Sequence, residues 1–317
     1  MCAQDRVSVV REPKSAFTPV ELSIHCVVVE AEKKHKITTE LQDFCRYLQI
    51  RQTQMPQPNL DIATPFMRPQ LVDWLFKTCD FLKFHKKLVF QALTLADSYT
   101  TRTPVDGDEL GLVFLTSLFS AAKYDAIAIK LNDVLKLCNY KYNNKEVIQM
   151  EMKILTSVSY KMDNPTPFDF LCLLWEAVGY PTFVYGKQNH PVVEASVLFL
   201  EVMSLDPIFL TNTPSSMAAS AFFFARDLCH FTQLWESLQQ KCLFLRKSDV
   251  KDVALDFVPK MRFCLENAES MGFKPCADFA HVINAHRLDH MNCVKHITSR
   301  SSKAMCFWDT NDLRNFD

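Results

Sequence analysis

An all-α fold of two tandem helical bundles, preceded by an N-terminal helix, is what three observations predict. Glycine numbers only 5 in 317 residues, too few for the tight hairpins that an all-β chain consumes. Apolar residues recur at helical spacing through most of the chain. Two helices of the same small-and-aromatic character, Gly107–Lys123 and Ser215–Leu228, lie about 100 residues apart, a weak internal repeat in which each bundle wraps one buried helix.

In chain order, residues 1–37 show no sustained period and read as a solvated tail, with a short strand-like run at Val27–Val29. Thr38–Arg51 predicts the N-terminal helix, capped by Thr38 or Thr39, with Leu41, Phe44, Cys45 and Leu48 on one face. A proline-containing linker closes this segment, 38–66. The first bundle, 67–164, takes helices at Met67–Phe84, Leu88–Tyr99, Gly107–Lys123, Ile129–Leu137 and Lys145–Val158. In the first of these, Met67, Leu71, Trp74, Leu75, Leu82 and Phe81 share a broad face. Asn164-Pro-Thr-Pro167 ends the set, since proline stops one helix and opens the next at its first turn. The second bundle, 165–296, takes Pro167–Ala177, Val192–Leu205, Ser215–Leu228, Leu234–Leu245, Asp249–Ala268 and Ala277–His290. Residues 297–317 read as a C-terminal tail.

Composition removes several classes of function. Lys+Arg is 35 and Asp+Glu is 36, a formal net charge of -1, so no broad attraction to nucleic acid or to an anionic membrane is expected. The five glycines compose neither GxGxxG nor GxxxxGK[ST], the two common phosphate cradles. The 12 cysteines form no CxxC, and the opening MCAQDRVSVV lacks the pattern of a signal peptide. They are expected to be reduced, mostly buried thiols of a nuclear and cytoplasmic protein. The longest apolar stretch, Leu110–Phe119, is too short to cross a bilayer.

Catalytic and metal motifs are weak. Neither GxSxG nor HExxH occurs. His286, His290, Cys293 and His296 have a spacing that could hold zinc, but solvent-facing histidines at a helix end, where the cation suits the helix dipole, are the preferred reading. No metal and no cofactor is expected. Lys33-Lys34-His35-Lys36 and Lys86-Lys87 read as solvated charge. Charged residues inside apolar helices carry more information. Arg68, Asp97, Lys123 and Glu151 each sit in such a helix, where an unpaired charge would cost several kcal/mol, so each needs a partner or a place at a rim.

The order of these residues resembles a known family. Met67-Arg-Pro-Gln-Leu-Val-Asp-Trp-Leu75 is similar to the opening of the cyclin box in A- and B-type cyclins, with Asn59-Leu-Asp-Ile62 as its lead-in. Ala96-Asp97, Ser120-Ala-Ala-Lys-Tyr-Asp125, Glu146–Leu155, Tyr160, Pro165-Thr-Pro167 and the run from Val193 to Leu205 follow in the family's order.

The resemblance implies two tandem five-helix cyclin boxes and a non-catalytic activator of a cyclin-dependent protein kinase. It further implies that Lys123 and Glu151 form the charged pair of the kinase face, with apolar contacts from Leu155, Tyr160 and Met162. Arg68 and Asp97 would form a structural ion pair. Met67, Leu71 and Trp74 would form a patch that recruits substrate or inhibitor peptides of the basic-x-leucine kind. At its margin Gln70, Gly111 and Lys77 depart from the A-type, and Lys77 should repel a basic peptide end. Residues 1–66 contain no RxxL and no KEN. A cyclin-fold scaffold that activates no kinase is the alternative, and a zinc enzyme built on His286, His290 and Cys293 is a third reading.

Overall fold

The computed structural model describes residues 38–55, 67–181, 189–206, 210–229, 250, 253 and 272–285. Among them the regular structure is entirely α-helical apart from a short 3₁₀ turn at 210–211. We number the helices α1 (Thr39–Thr53), α2 (Arg68–Phe81), α3 (Lys86–Thr100), α4 (Gly107–Tyr124), α5 (Leu131–Leu137), α6 (Asn144–Ser157), α7 (Pro167–Val178), α8 (Pro191–Ser204), α9 (Pro214–Leu228) and α10 (Lys274–Ala285).

Helices α2 to α6 form the first bundle around α4. That helix buries Leu110, Val113, Phe114, Leu115, Leu118, Ala121 and Ala122 and packs on α2, α3, α5 and α6. Helices α7 to α9 form the described part of the second bundle, with α9 packed on both α7 and α8. Two sequence-predicted helices, Leu234–Leu245 and Asp249–Ala268, fall mostly outside the described residues. So do the tails, the strand-like run at Val27–Val29, most of the linker, and the cluster His286, His290, Cys293 and His296. Helix α10 crosses between the bundles, packing on α8 and on α2.

Local chemistry sets the helix ends. Thr38 caps α1 by accepting from the Leu41 amide at 3.3 Å. Asp106 caps α4 through the Glu109 amide at 2.8 Å. Helix α6 opens on a reciprocal capping box between Asn143 and Glu146, and α7 on another between Thr166 and Asp169, with Pro167 in its first turn. Gly179 closes α7 at φ 78°, a left-handed position that glycine adopts without a Cβ penalty.

Two expectations about faces need correction. Cys45 and Leu48 of α1 are buried, but Phe44 is exposed and stacks on Tyr47 instead. Phe81 is 73% exposed, because it ends α2 where the chain already turns away from the bundle.

Candidate functional site

Lys123 and Glu151 converge. Lys123 lies in the last turn of α4, where a cation suits the helix dipole, and Glu151 lies in the middle of the neighbouring α6. The Lys123 ammonium donates to both carboxylate oxygens, at 2.8 Å to Oε1 and 2.9 Å to Oε2. The buried Ser120 hydroxyl donates to Oε1 at 2.9 Å. The carboxylate sits behind, 12% exposed, and the ammonium in front, 50% exposed. The ammonium also lies 5.1 Å from the centre of the Phe119 ring, within reach of a cation–π attraction. The arrangement therefore presents one oriented cation, held from beneath by an anchored acid.

The surroundings are unusually apolar for a surface. Ile148, Met152, Tyr124 and Tyr160 are each more than half exposed. Ile148, Met152 and the half-buried Leu155 follow helical spacing along α6. Exposed apolar side chains gathered beside a fixed charge mark a surface for another macromolecule. Ser159 and Tyr160 take left-handed backbone at φ 53° and 58°. The Tyr160 amide returns to the Leu155 carbonyl at 2.8 Å, which stops α6 and leaves the Tyr160 side chain outward. Ala126, at φ 55°, ends α4 in the same way. Two non-glycine residues in succession in this region cost of order 1–3 kcal/mol each, a strain often retained at functional surfaces.

Met162 is half-buried against the core. Next to it, Asp163 accepts from the Tyr47 phenol at 3.0 Å and from Arg51 at 2.5 Å. Its carboxylate, by taking that phenolic hydrogen bond, holds the Tyr47 hydroxyl above the usual tyrosine range. Helix α1 is thus latched to the junction between the bundles. Gln52 extends the latch with a reciprocal pair to Ser215 of α9, amide to hydroxyl at 2.9 Å and backbone to amide oxygen at 2.8 Å.

Arg68 and Asp97 meet in a two-pronged ion pair, with the second contact at 3.0 Å. This geometry joins the first turn of α2 to α3 by the planar fork that favours arginine over lysine. Met67, Leu71 and Trp74 lie along one side of α2. Met67 is exposed, and Leu71 and Trp74 are half-buried against the core. Glycine lets two side chains close on α4 here. A Cβ on Gly107 would stand 3.1 Å from the Met67 sulfur, and one on Gly111 would stand 2.5 Å from the Tyr142 hydroxyl. That hydroxyl instead donates to the Asp108 carbonyl at 3.1 Å. At the margin Lys77 is already engaged, with Asp73 at 2.6 Å and the Gly272 carbonyl at 3.2 Å.

One charge reading is overturned. Lys86, taken with Lys87 as solvated, is 7% exposed at its side chain. It lies 2.9 Å from Glu201 of α8 and 3.2 Å from Asp80 of α2. Lys274 of α10 lies 2.7 Å from the other oxygen of Asp80. The reason is position: Lys86 opens α3 where α2, α8 and α10 meet. The signal was Glu201 in the apolar run LFLEVMS, an acid as conspicuous as Glu151, whose partner lay too far along the chain to be paired by pattern.

Comparison with known proteins agrees with this architecture. The family described as "Cyclin, N-terminal domain" matches residues 36–163, and "Cyclin, C-terminal domain" matches residues 165–271. The chain belongs to the cyclin family. Its curated relatives include A- and B-type cyclins. Cyclin-B1-4 of Arabidopsis thaliana is 31% identical over 53% of this chain and 42% of its own length. Cyclin-A2-1 of the same plant is 30% identical over 63% and 45%, and the G2/mitotic-specific cyclin-B3 of Drosophila melanogaster 26% over 58% and 31%. The chain thus spans less than half the length of these relatives. Among solved structures, a viral cyclin from herpesvirus saimiri superposes with a TM-score of 0.56 at 13% identity, covering 76% of this chain and 97% of that one, a likeness of fold.

Proposed function

We propose that this cyclin is the activating subunit of a cyclin-dependent Ser/Thr protein kinase in cell-cycle control, working in the nucleus and cytoplasm without catalysis of its own. The single observation that carries the reading is the Lys123–Glu151 pair, oriented and half-exposed within an apolar surface. Such a surface suits a partner helix with an apolar face. The lysine ammonium can cap the last carbonyls of that helix, since its own acid supports but does not bury it. A kinase needs its regulatory helix placed so that the glutamate on it pairs with the catalytic lysine. Seating that helix on Leu155, Tyr160, Met162 and the α6 stripe would fix its position, and the activation segment would lie alongside.

Met67, Leu71 and Trp74 would serve as a second docking point, for substrate or inhibitor peptides. With Lys77 at its margin, a peptide without a basic end is the better match.

The test is reconstitution. The purified chain is mixed with individual cyclin-dependent kinases and run by size exclusion, and each mixture is assayed for phosphoryl transfer to a protein substrate. Co-elution with stimulated activity for at least one kinase is expected. Failure to bind or stimulate any of them would refute the proposal in favour of a scaffold role.

A further inference from the structure

A cavity of about 110 Å³ lies where the two boxes and the end of α1 meet. Its walls come from Met55 just past the end of α1, from α2 and α3 of the first box, and from the starts of α7 and α9 in the second. It is amphipathic: Phe90, Met55 and Met217 supply apolar surface, and Arg68, Asp97 and Asn212 supply polar surface.

Two wall residues carry donors without acceptors. The Arg68 guanidinium gives its two terminal nitrogens to Asp97, which leaves its Nε–H buried with no partner among the described residues. The Asn212 amide nitrogen is buried and unpartnered as well. Arg68 is only 7% exposed, so bulk water does not serve it. Buried donors are nearly always satisfied, and two left over in one wall call for an acceptor. That acceptor should be neutral. The arginine charge is already matched by Asp97, and the same carboxylate lines the cavity and would repel an anion.

We infer that this junction is a binding site for a small carboxamide with an aliphatic body, its carbonyl oxygen accepting from Arg68 and Asn212. The volume admits a ligand smaller than a benzene-sized cavity would hold. Because the walls come from both boxes, occupancy reports on how the boxes are set against each other, and nothing in it depends on kinase binding.

The experiment uses the full chain with ¹³C-methyl methionine, since Met55 and Met217 both face the cavity wall. Propionamide is titrated, with propionate as the isosteric anion. The amide should shift both methyl resonances saturably with millimolar affinity, and the acid should bind at least about tenfold more weakly. Thr94→Phe, which adds bulk to the wall, should abolish the response. Asn212→Leu, which removes one donor at nearly constant volume, should weaken it several-fold. Shifts that do not saturate, that are equal for amide and acid, or that survive Thr94→Phe would overturn the site and leave the donors to ordered water.

Discussion

The Lys86 ammonium on α3 lies 2.9 Å from Glu201 on α8 and 3.2 Å from Asp80 on α2, so one buried cation joins the two cyclin boxes. Burial works against its charge, but Glu201 and Asp80 outweigh it and raise the Lys86 pKa well above the ordinary lysine range. The Glu201 carboxyl, wholly buried, is pushed up by desolvation, with Lys86 pulling the other way. The contacts are ion pairs by distance rather than well-aligned hydrogen bonds.

Lys86→Met should therefore strand the buried Glu201, while Asp80 keeps Lys274, and destabilise the chain by about 3–5 kcal/mol in thermal or urea unfolding. The pH dependence follows from the direction of the shift. A lysine whose folded pKa lies above its unfolded value of 10.5 contributes fully below that pH. The contribution is lost as pH rises through the folded value. The gap between wild type and Lys86→Met should stay constant at neutral pH and narrow in strong alkali. A gap that widens there would contradict the pairing.

Arg68→Ala removes the two-pronged partner of Asp97 and leaves that acid mostly buried. A loss of roughly 3–5 kcal/mol is expected, read as a fall in the melting temperature of the isolated protein. Arg68→Lys should recover only part of it, because an ammonium cannot reproduce the fork. An unchanged melting curve for Arg68→Ala would show that the pair contributes nothing.

Burial pushes the Cys79 and Cys172 thiols up to about 12 and the Cys138 thiol up to about 11. Thiolate is the reactive form, so iodoacetamide at neutral pH should spare Cys79 and Cys172 in the folded chain and label both after unfolding. Mass spectrometry of the labelled peptides checks this. Rapid native labelling of Cys79 would mean that α2 opens locally.

Much of the fold was legible because it rests on local signals. The proline and capping residues at Thr166-Pro167 and Asn143–Glu146 mark helix starts in any context, and the apolar density of Gly107–Lys123 has only one use in a bundle. The resemblance named Arg68 with Asp97 and Lys123 with Glu151 as pairs, and the structure brings each pair into contact. What could not be read depends on distance along the chain. Lys86 and Glu201 are partners only because α8 returns to α3, and a lysine beside a lysine looks solvated until that return is known. Likewise Gly111 reads only as a departure at the margin of the patch, and its reason is the Tyr142 hydroxyl lying against it. Asp163 shows no pattern at all, yet it latches α1 through Tyr47 and Arg51.

The most direct measurement of the central claim is the dissociation constant for whichever kinase co-elutes, compared between wild type and Lys123→Ala/Glu151→Ala, with circular dichroism to confirm that the variant is folded. Binding at least about tenfold weaker is expected, equivalent to 1.4 kcal/mol or more, with melting only modestly lowered because both charges leave together and neither is stranded. A folded double variant that binds and activates the kinase as well as wild type would contradict it.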